Sequence, residues 1–256
     1  MTALREIIEK EVNAAEELPL VHTTRCETLA FIVKSHELRS PNPCDVFGEH
    51  LLYFFYGRPA YRYKGGADAS ADVDLYPVCF VFKPNTISAK VKRIYACDSG
   101  GVQKGYFENH LHPPDRDELQ LDPKIDSARK LVRLVFGDNS QYYRASAVGV
   151  APAAFVSGTP AARYHALLID KARSAADDRR SAIEVQLDSP LALGHDLLYV
   201  VLPKEKLNEP DLRETIIQNW QADPIGYETY PGAPPHEYIS AIREALRRRF
   251  EEGGRL

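Results

Sequence analysis

The sequence predicts an α+β fold in a single domain over residues 1–256, and three observations lead there. Five or six short apolar, strand-like runs interleave irregularly with stretches of helical periodicity. No repeat, low-complexity tract or linker-like segment divides the chain. The composition, 44% hydrophobic and 27% charged, is that of an ordinary globular protein with enough apolar material for a sizeable core.

Several classes are excluded at the same stage. Thirty-two Lys and Arg against 36 Asp and Glu give a formal charge of −4, so the chain is no histone-like nucleic-acid binder, although a local basic patch is compatible with it. The longest apolar runs are about seven residues, against the roughly 20 that a membrane helix needs. Residues 1–20 are charged and lack the apolar centre of a signal peptide, so a soluble, cytoplasmic protein is expected. Cys26, Cys44, Cys79 and Cys97 are widely spaced and form no C-x-x-C, which points to neither a disulfide framework nor a zinc site.

Taken in order, residues 4–18 carry Leu4, Ile7, Ile8, Val12 and Ala15 at the spacing of one helical face, and Pro19 ends them. Thr24 and Glu27 read as a capping box opening a helix through Leu29, Ile32 and Val33 towards Leu38. LLYFFY (51–56) reads as a buried strand broken by Gly57-Arg58-Pro59. YPVCFVFKP (76–84) is the strongest strand, and VKRIYAC (91–97) follows, closed at Asp98-Ser99-Gly100-Gly101. Asp122, Pro123 and Gly137 bracket a helix, and 160–173 is a weaker one. In 182–187, Ile183, Val185 and Leu187 point one way and Glu184 and Gln186 the other. A buried strand at 197–203 and helices at roughly 211–220 and 236–251 complete the chain.

Familiar catalytic motifs are absent: there is no P-loop, G-x-G-x-x-G, H-E-x-x-H or G-x-S-x-G. His110 and His112, with Asp115 and Asp117 close by, could ligate a metal in a hydrolase or could lie in a solvated loop. Asp98-Ser99-Gly100-Gly101 could cradle a phosphate or simply end a strand. Three other places are more informative together. His22 follows a short apolar step, where its imidazole could donate to a ligand hydroxyl or bond a carbonyl from a half-buried position. Arg58 leaves the end of the aromatic strand, a placement that suits bidentate recognition of phosphate or carboxylate, with Tyr56, Tyr61 and Tyr63 offering faces to an aromatic cation. The alternative is an arginine paired with a surface acid. Glu184 projects away from an apolar strand face, as a placed carboxylate or as an exposed residue of an edge strand.

VHTTRCETLAFIVKSHEL (21–38), YFFYGRPAY (53–61) and DDRRSAIEVQL (177–187) carry, in this order, a resemblance to the ADP-ribosyltransferase superfamily. Within it the chain is most similar in look to nucleic-acid-modifying toxins of the DarT type, over about residues 20–203, with C-terminal helices in 204–256. The resemblance implies split antiparallel β-sheets with flanking helices and NAD, as co-substrate, in the cleft between them. It implies that His22 and Thr23 hold the ribose and amide on the nicotinamide side, that Arg58 clasps the pyrophosphate, and that Glu184 is catalytic. A tyrosine lies against the nicotinamide, Tyr61 first, while Tyr53 and Tyr56 compete for the family's second position. Ala182 departs from the pattern, standing where a glutamine often precedes the glutamate. The implied acceptor is a nucleobase in DNA or RNA, or else a protein side chain, and an inhibitory, antitoxin-like partner is implied too. Arg163, Lys171, Arg173, Arg179 and Arg180 could guide a phosphate backbone or form a solvated face. A non-catalytic binding module using Arg247, Arg248 and Arg249 is the reading from another class.

Overall fold

A computed structural model describes residues 3–60, 70–171, 179–230 and 232–256. Its architecture is mixed α and β, as the interleaved text predicts. The strands are β1 (Leu20–Arg25), β2 (Glu37–Leu38), β3 (Leu52–Tyr56), β4 (Pro77–Phe82), β5 (Val91–Tyr95), β6 (Gln120–Leu121), β7 (Glu184–Leu187), β8 (Leu191–Ala192), β9 (Leu197–Pro203) and β10 (Asp223–Tyr227). Among the described residues, eight of them form one sheet in the order β10-β9-β4-β1-β3-β7-β5-β6, and β2 pairs with β8. Every neighbouring pair in the large sheet is antiparallel except β9 and β10.

The sheet is weakly joined at its middle. β1 pairs with β4 along all six of its residues, but with β3 only at Leu20–Tyr56 and Val21–Phe55. Beyond Val21 the ladder stops, and from His22 onward β1 has no strand partner on that side among the described residues. The junction is pinned just outside the ladder, where the Gly57 N–H donates to the Pro19 carbonyl at 2.7 Å and the Tyr56 hydroxyl accepts from the Leu18 N–H at 2.9 Å. Gly57 sits at φ 64°, and a Cβ there would meet Leu18 Cδ1 at 2.4 Å and Leu18 Cβ at 3.0 Å. Gly57→Ala therefore combines left-handed strain with a steric clash and should cost about 1–3 kcal/mol, read as a lower urea midpoint at unchanged slope.

Two cores flank this sheet. One face packs Leu20, Phe54, Tyr56, Phe80 and Val185 against the helices Leu4–Lys10, Ile125–Phe136 and Pro160–Ile169. On the other face, Val21, Cys79, Val81 and Val201 pack under Ile242, Leu246 and Phe250 of the helix Tyr238–Glu252. By register, Phe55, Glu184 and Tyr95 continue that second face from Val21 across β3, β7 and β5.

Several expectations are corrected. The first helix stops at Lys10, and Val12 is 87% exposed. Residues 11–19 lie outside any helix, tied down by Ala15, which exchanges two hydrogen bonds with Arg129 at 3.2 and 2.9 Å. The capping box does not form: Thr24 is spent in β1 opposite Val78, and the helix Leu29–Ser35 starts after a turn closed by Thr28 Oγ1 donating to the Arg25 carbonyl at 2.7 Å. Leu38 lies in β2 opposite Leu191, not in that helix. Asp98-Ser99-Gly100-Gly101 opens the short helix Ser99–Gln103, with Asp98 Oδ1 accepting from the Gly101 N–H at 3.0 Å. The parallel strand β10, with sequence DPIGY, was not expected. Its Pro and Gly argue against a strand, and it is tolerated as an edge. Among the described residues no helix is long and apolar enough to cross a membrane.

Candidate functional site

Where β1 and β3 part, a cavity of about 1000 Å³ opens, a size within the range of small-molecule sites. It is lined by His22, Thr23 and Thr24 of β1, by Tyr53 and Phe55 of β3, and by Glu184 of β7, so it draws on both faces of the sheet. Asp98, Lys104 and Arg179 close one side, and Phe31 and Arg39 lie at another part of the wall.

Glu184 is placed by β7 between β3 and β5, opposite Phe55 and Tyr95. It is 1% exposed on a strand flanked on both sides, which removes the alternative of an exposed residue on an edge strand. Its Oε1 accepts from Ser99 Oγ at 2.7 Å and from Gln186 Nε2 at 2.6 Å. Burial, and next the nearby charge of Asp98, push its pKa from 4.5 up to about 8. Asp98 is itself engaged by the Arg179 guanidinium. Glu184 is thus a protonation-sensitive acid on the wall of a cavity, the environment in which functional carboxyls recur.

His22 Nδ1 lies 2.8 Å from the Tyr53 carbonyl, and a carbonyl can only accept, so Nδ1 carries the proton. Burial lowers the pKa of the ring and keeps it neutral, leaving Nε2 as an acceptor. The carbonyl bond weighed at the outset is present, and the ring also lines the cavity. Its free nitrogen, however, accepts from a hydroxyl rather than donating to one. The same bond holds the imidazole across the gap where the β1–β3 ladder stops.

The tyrosines separate by strand phase. Tyr53 shares its side of β3 with Phe55 and lines the cavity, its hydroxyl 2.8 Å from Cys44 Sγ. Tyr56, expected at the cofactor, points the other way: it is buried in the core and is not among the cavity residues. Tyr61, the first choice for the nicotinamide face, lies outside the described residues, as do Tyr63 and the segment 172–178 with Arg173.

Arg58 does not line the cavity either. It is 1% exposed, its Nη1 donates to the Ser181 carbonyl at 3.0 Å and to Ser181 Oγ at 2.8 Å, and its guanidinium sits 5.5 Å from the Tyr142 ring. It joins the end of β3 to the segment entering β7. A strand-end arginine can turn inward as readily as out, and Gly57 reverses the chain here.

The basic residues that could guide a phosphate backbone are only partly available, two of the arginines being buried. Arg163 pairs with Asp115, Arg179 with Asp98, and Arg180 is buried, while Lys171 is exposed. His110 bonds Asp170 at 2.8 Å, and Asp115, besides pairing with Arg163, accepts from the His112 N–H. Among the described residues, no group of three or more His, Cys, Asp or Glu side chains is placed to hold a metal ion. All four cysteines are free. Arg247, Arg248 and Arg249 pair with Glu244, Glu251 and Glu252 on their own helix.

Asp98 and Ser99 enter the sequence reading only as a possible phosphate cradle and Arg179 only as a possible phosphate-backbone contact, whereas the structure sets all three around Glu184. Gln186 is missed as a site residue, although it shares Glu184's side of the alternation. No family model matches the chain, and no curated protein does.

Proposed function

We propose that the cavity binds NAD and that the protein is an NAD-dependent mono-ADP-ribosyltransferase. The observation that carries the reading is that His22 and Glu184, remote in sequence, line one cavity in the gap between β1 and β3. Two further features support it. The resemblance implies two separate antiparallel sheets, and the strands instead form one continuous sheet, but its two four-stranded halves meet at only two residue pairs, which leaves room for a ligand between them. A buried acid beside Asp98 suits a cationic ligand, because a positive ring would favour the ionised carboxylate.

NAD supplies a glycosidic bond to a positively charged nicotinamide, whose departure as a neutral base leaves an oxocarbenium-like ribose, electronically akin to a glycosidase transition state. Glu184, ionised, stabilises that developing charge and can accept the proton of the attacking acceptor. His22 Nε2 accepts a hydrogen bond from a ribose hydroxyl. Of Tyr53 and Tyr56, which compete for the family's second position, Tyr53 lines the cavity and offers its ring to the ligand there. A nucleobase in DNA or RNA is the acceptor the resemblance favours, and the buried Arg179 and Arg180 and the paired Arg163 add no support to it.

Incubation with adenylate-labelled NAD and a mixture of DNA, RNA and protein tests this. Label on one polymer and release of nicotinamide are expected. No NAD consumption under any of these conditions would overturn the proposal. His22→Phe keeps the ring's bulk but loses both nitrogens, and should lower kcat/KM for NAD by about 10-fold or more. An unchanged value removes His22 from the site.

A further inference from the structure

The side chains behind Glu184 form an ordered chain. Glu49 Oε1 accepts from Arg93 Nη2 at 2.6 Å, Arg93 Nη1 donates to Gln186 Oε1 at 3.2 Å, and Gln186 Nε2 donates to Glu184 Oε1 at 2.6 Å. Arg93 also stacks over the Phe47 ring at 4.7 Å, and Glu49 is held from a second side by Lys92 at 2.6 Å. A guanidinium has donors only, so it admits just one orientation of the Gln186 amide, with the oxygen towards Arg93 and the NH₂ towards Glu184. Gln186 is fully buried and pairs across the sheet with Tyr53 and Arg93, so the amide has no solvent to turn into.

Both side-chain hydrogen bonds that Glu184 accepts fall on the same oxygen, Oε1, from Gln186 and from Ser99, and the Ser99 backbone N–H also lies against the carboxylate. We propose that Gln186, its amide fixed by Arg93, is a positioning residue that tethers Glu184 Oε1 and leaves Oε2 as the oxygen offered to the substrate. This rests on the proposed function for its substrate, but the tether itself can be read without any NAD. A carboxylate held by one oxygen is preorganised, and the rotation it would otherwise lose on binding is already lost in the fold. An E-x-Q arrangement on one strand face thereby supplies an amide beside the glutamate, whereas position 182, two residues before it, holds alanine.

The charged and titratable groups facing Glu184 are Asp98 with its partner Arg179 from the Ser99–Gln103 helix start and the segment before β7, Tyr53 from β3, and Tyr95 and Cys97 from β5 and the residues after it. Gln186→Met keeps the volume and removes the donor without touching any of these groups, and it decides the test; Arg93→Met releases the amide but also removes a guanidinium charge felt by Tyr53 and Tyr95, so it is read beside Arg93→Lys. For each background the stability difference between the Glu184 and Glu184→Gln forms, followed against pH, reports the titration of Glu184 alone. Loss of a donor to the carboxylate should move that midpoint upward by about one pH unit in both variants. Arg93→Lys, which retains a donor, should move it less. With NAD as substrate, kcat should fall about 10-fold with KM little changed, and the alkaline shift should reappear in the pH–rate profile. A midpoint that stays in place in Gln186→Met overturns the tether, because a purely packing role lowers stability without moving it. Wild-type protein inert toward NAD would instead overturn the proposed function while the midpoint shift still reported the tether.

Discussion

Glu184→Gln is expected to lower NAD turnover by at least about 100-fold, on the order of what one preorganised charge contributes to a transition state, and at the same time to stabilise the protein at alkaline pH. Both effects have one cause. The folded chain holds the Glu184 proton up to about pH 8, whereas the unfolded chain releases it near 4.5. Between those values the native state binds the extra proton, so wild-type stability falls as pH rises, by at most about 1.4 kcal/mol per unit, and levels off above the folded value. Below the lower value the full contribution is present. Glutamine does not titrate, so the stability difference in favour of the variant should widen from pH 5 to pH 8 and then stay constant. Wild-type kcat/KM should rise over the upper part of the same window, as the carboxylate becomes the resting form. Parallel denaturation curves for the two proteins across this range would show that Glu184 is not a buried titrating group. An active variant would remove it from the chemistry.

How far this site could be read beforehand depends on which physical information is local. The strands at 52–56, 77–82, 91–95 and 197–203 are legible because a short apolar run bounded by turn residues has few other uses. Glu184 and Gln186 are legible as sharing a side of their strand, since alternation is a property of the backbone. Their burial is not legible, because it depends on β3 and β5 flanking β7, and nothing near residue 184 announces those neighbours. The choice between Tyr53 and Tyr56 fails for a related reason. Both belong to one aromatic run, and the phase that sends Tyr53 to the cavity and Tyr56 to the core is set by the pairing of β3 with β1 and β7. Thr24 and Glu27 satisfy the capping pattern in text, yet pairing with Val78 claims Thr24 for the sheet. Asp98 and Ser99 enter the site only because β5 ends beside Glu184, a contact between distant segments.

Arg58→Ala is the second large effect expected, and it separates two roles for one residue. A guanidinium exposed to clasp a pyrophosphate would, on removal, raise KM for NAD and leave the melting temperature unchanged. The buried Arg58 instead donates twice to Ser181, which lies three residues before Glu184, the first residue of β7. Alanine leaves the buried Ser181 carbonyl without this donor and opens a void beside Tyr142, a combination expected to cost about 3–5 kcal/mol. The loss should appear as a lower denaturant midpoint with or without ligand, together with a lower kcat as residues 181–184 loosen. Arg58→Lys keeps one donor and should recover part of the stability, though not the paired geometry. A stable Arg58→Ala protein whose only defect is a raised KM for NAD would return this residue to the ligand and demand that the segment 57–60 open towards the cavity. The stability loss, in contrast, would mean that β3 and β7 are held at both ends, at Ser181 by Arg58 and across the ladder by the Tyr53–Gln186 and Phe55–Glu184 pairs, so that the carboxylate is fixed by the fold before any ligand arrives.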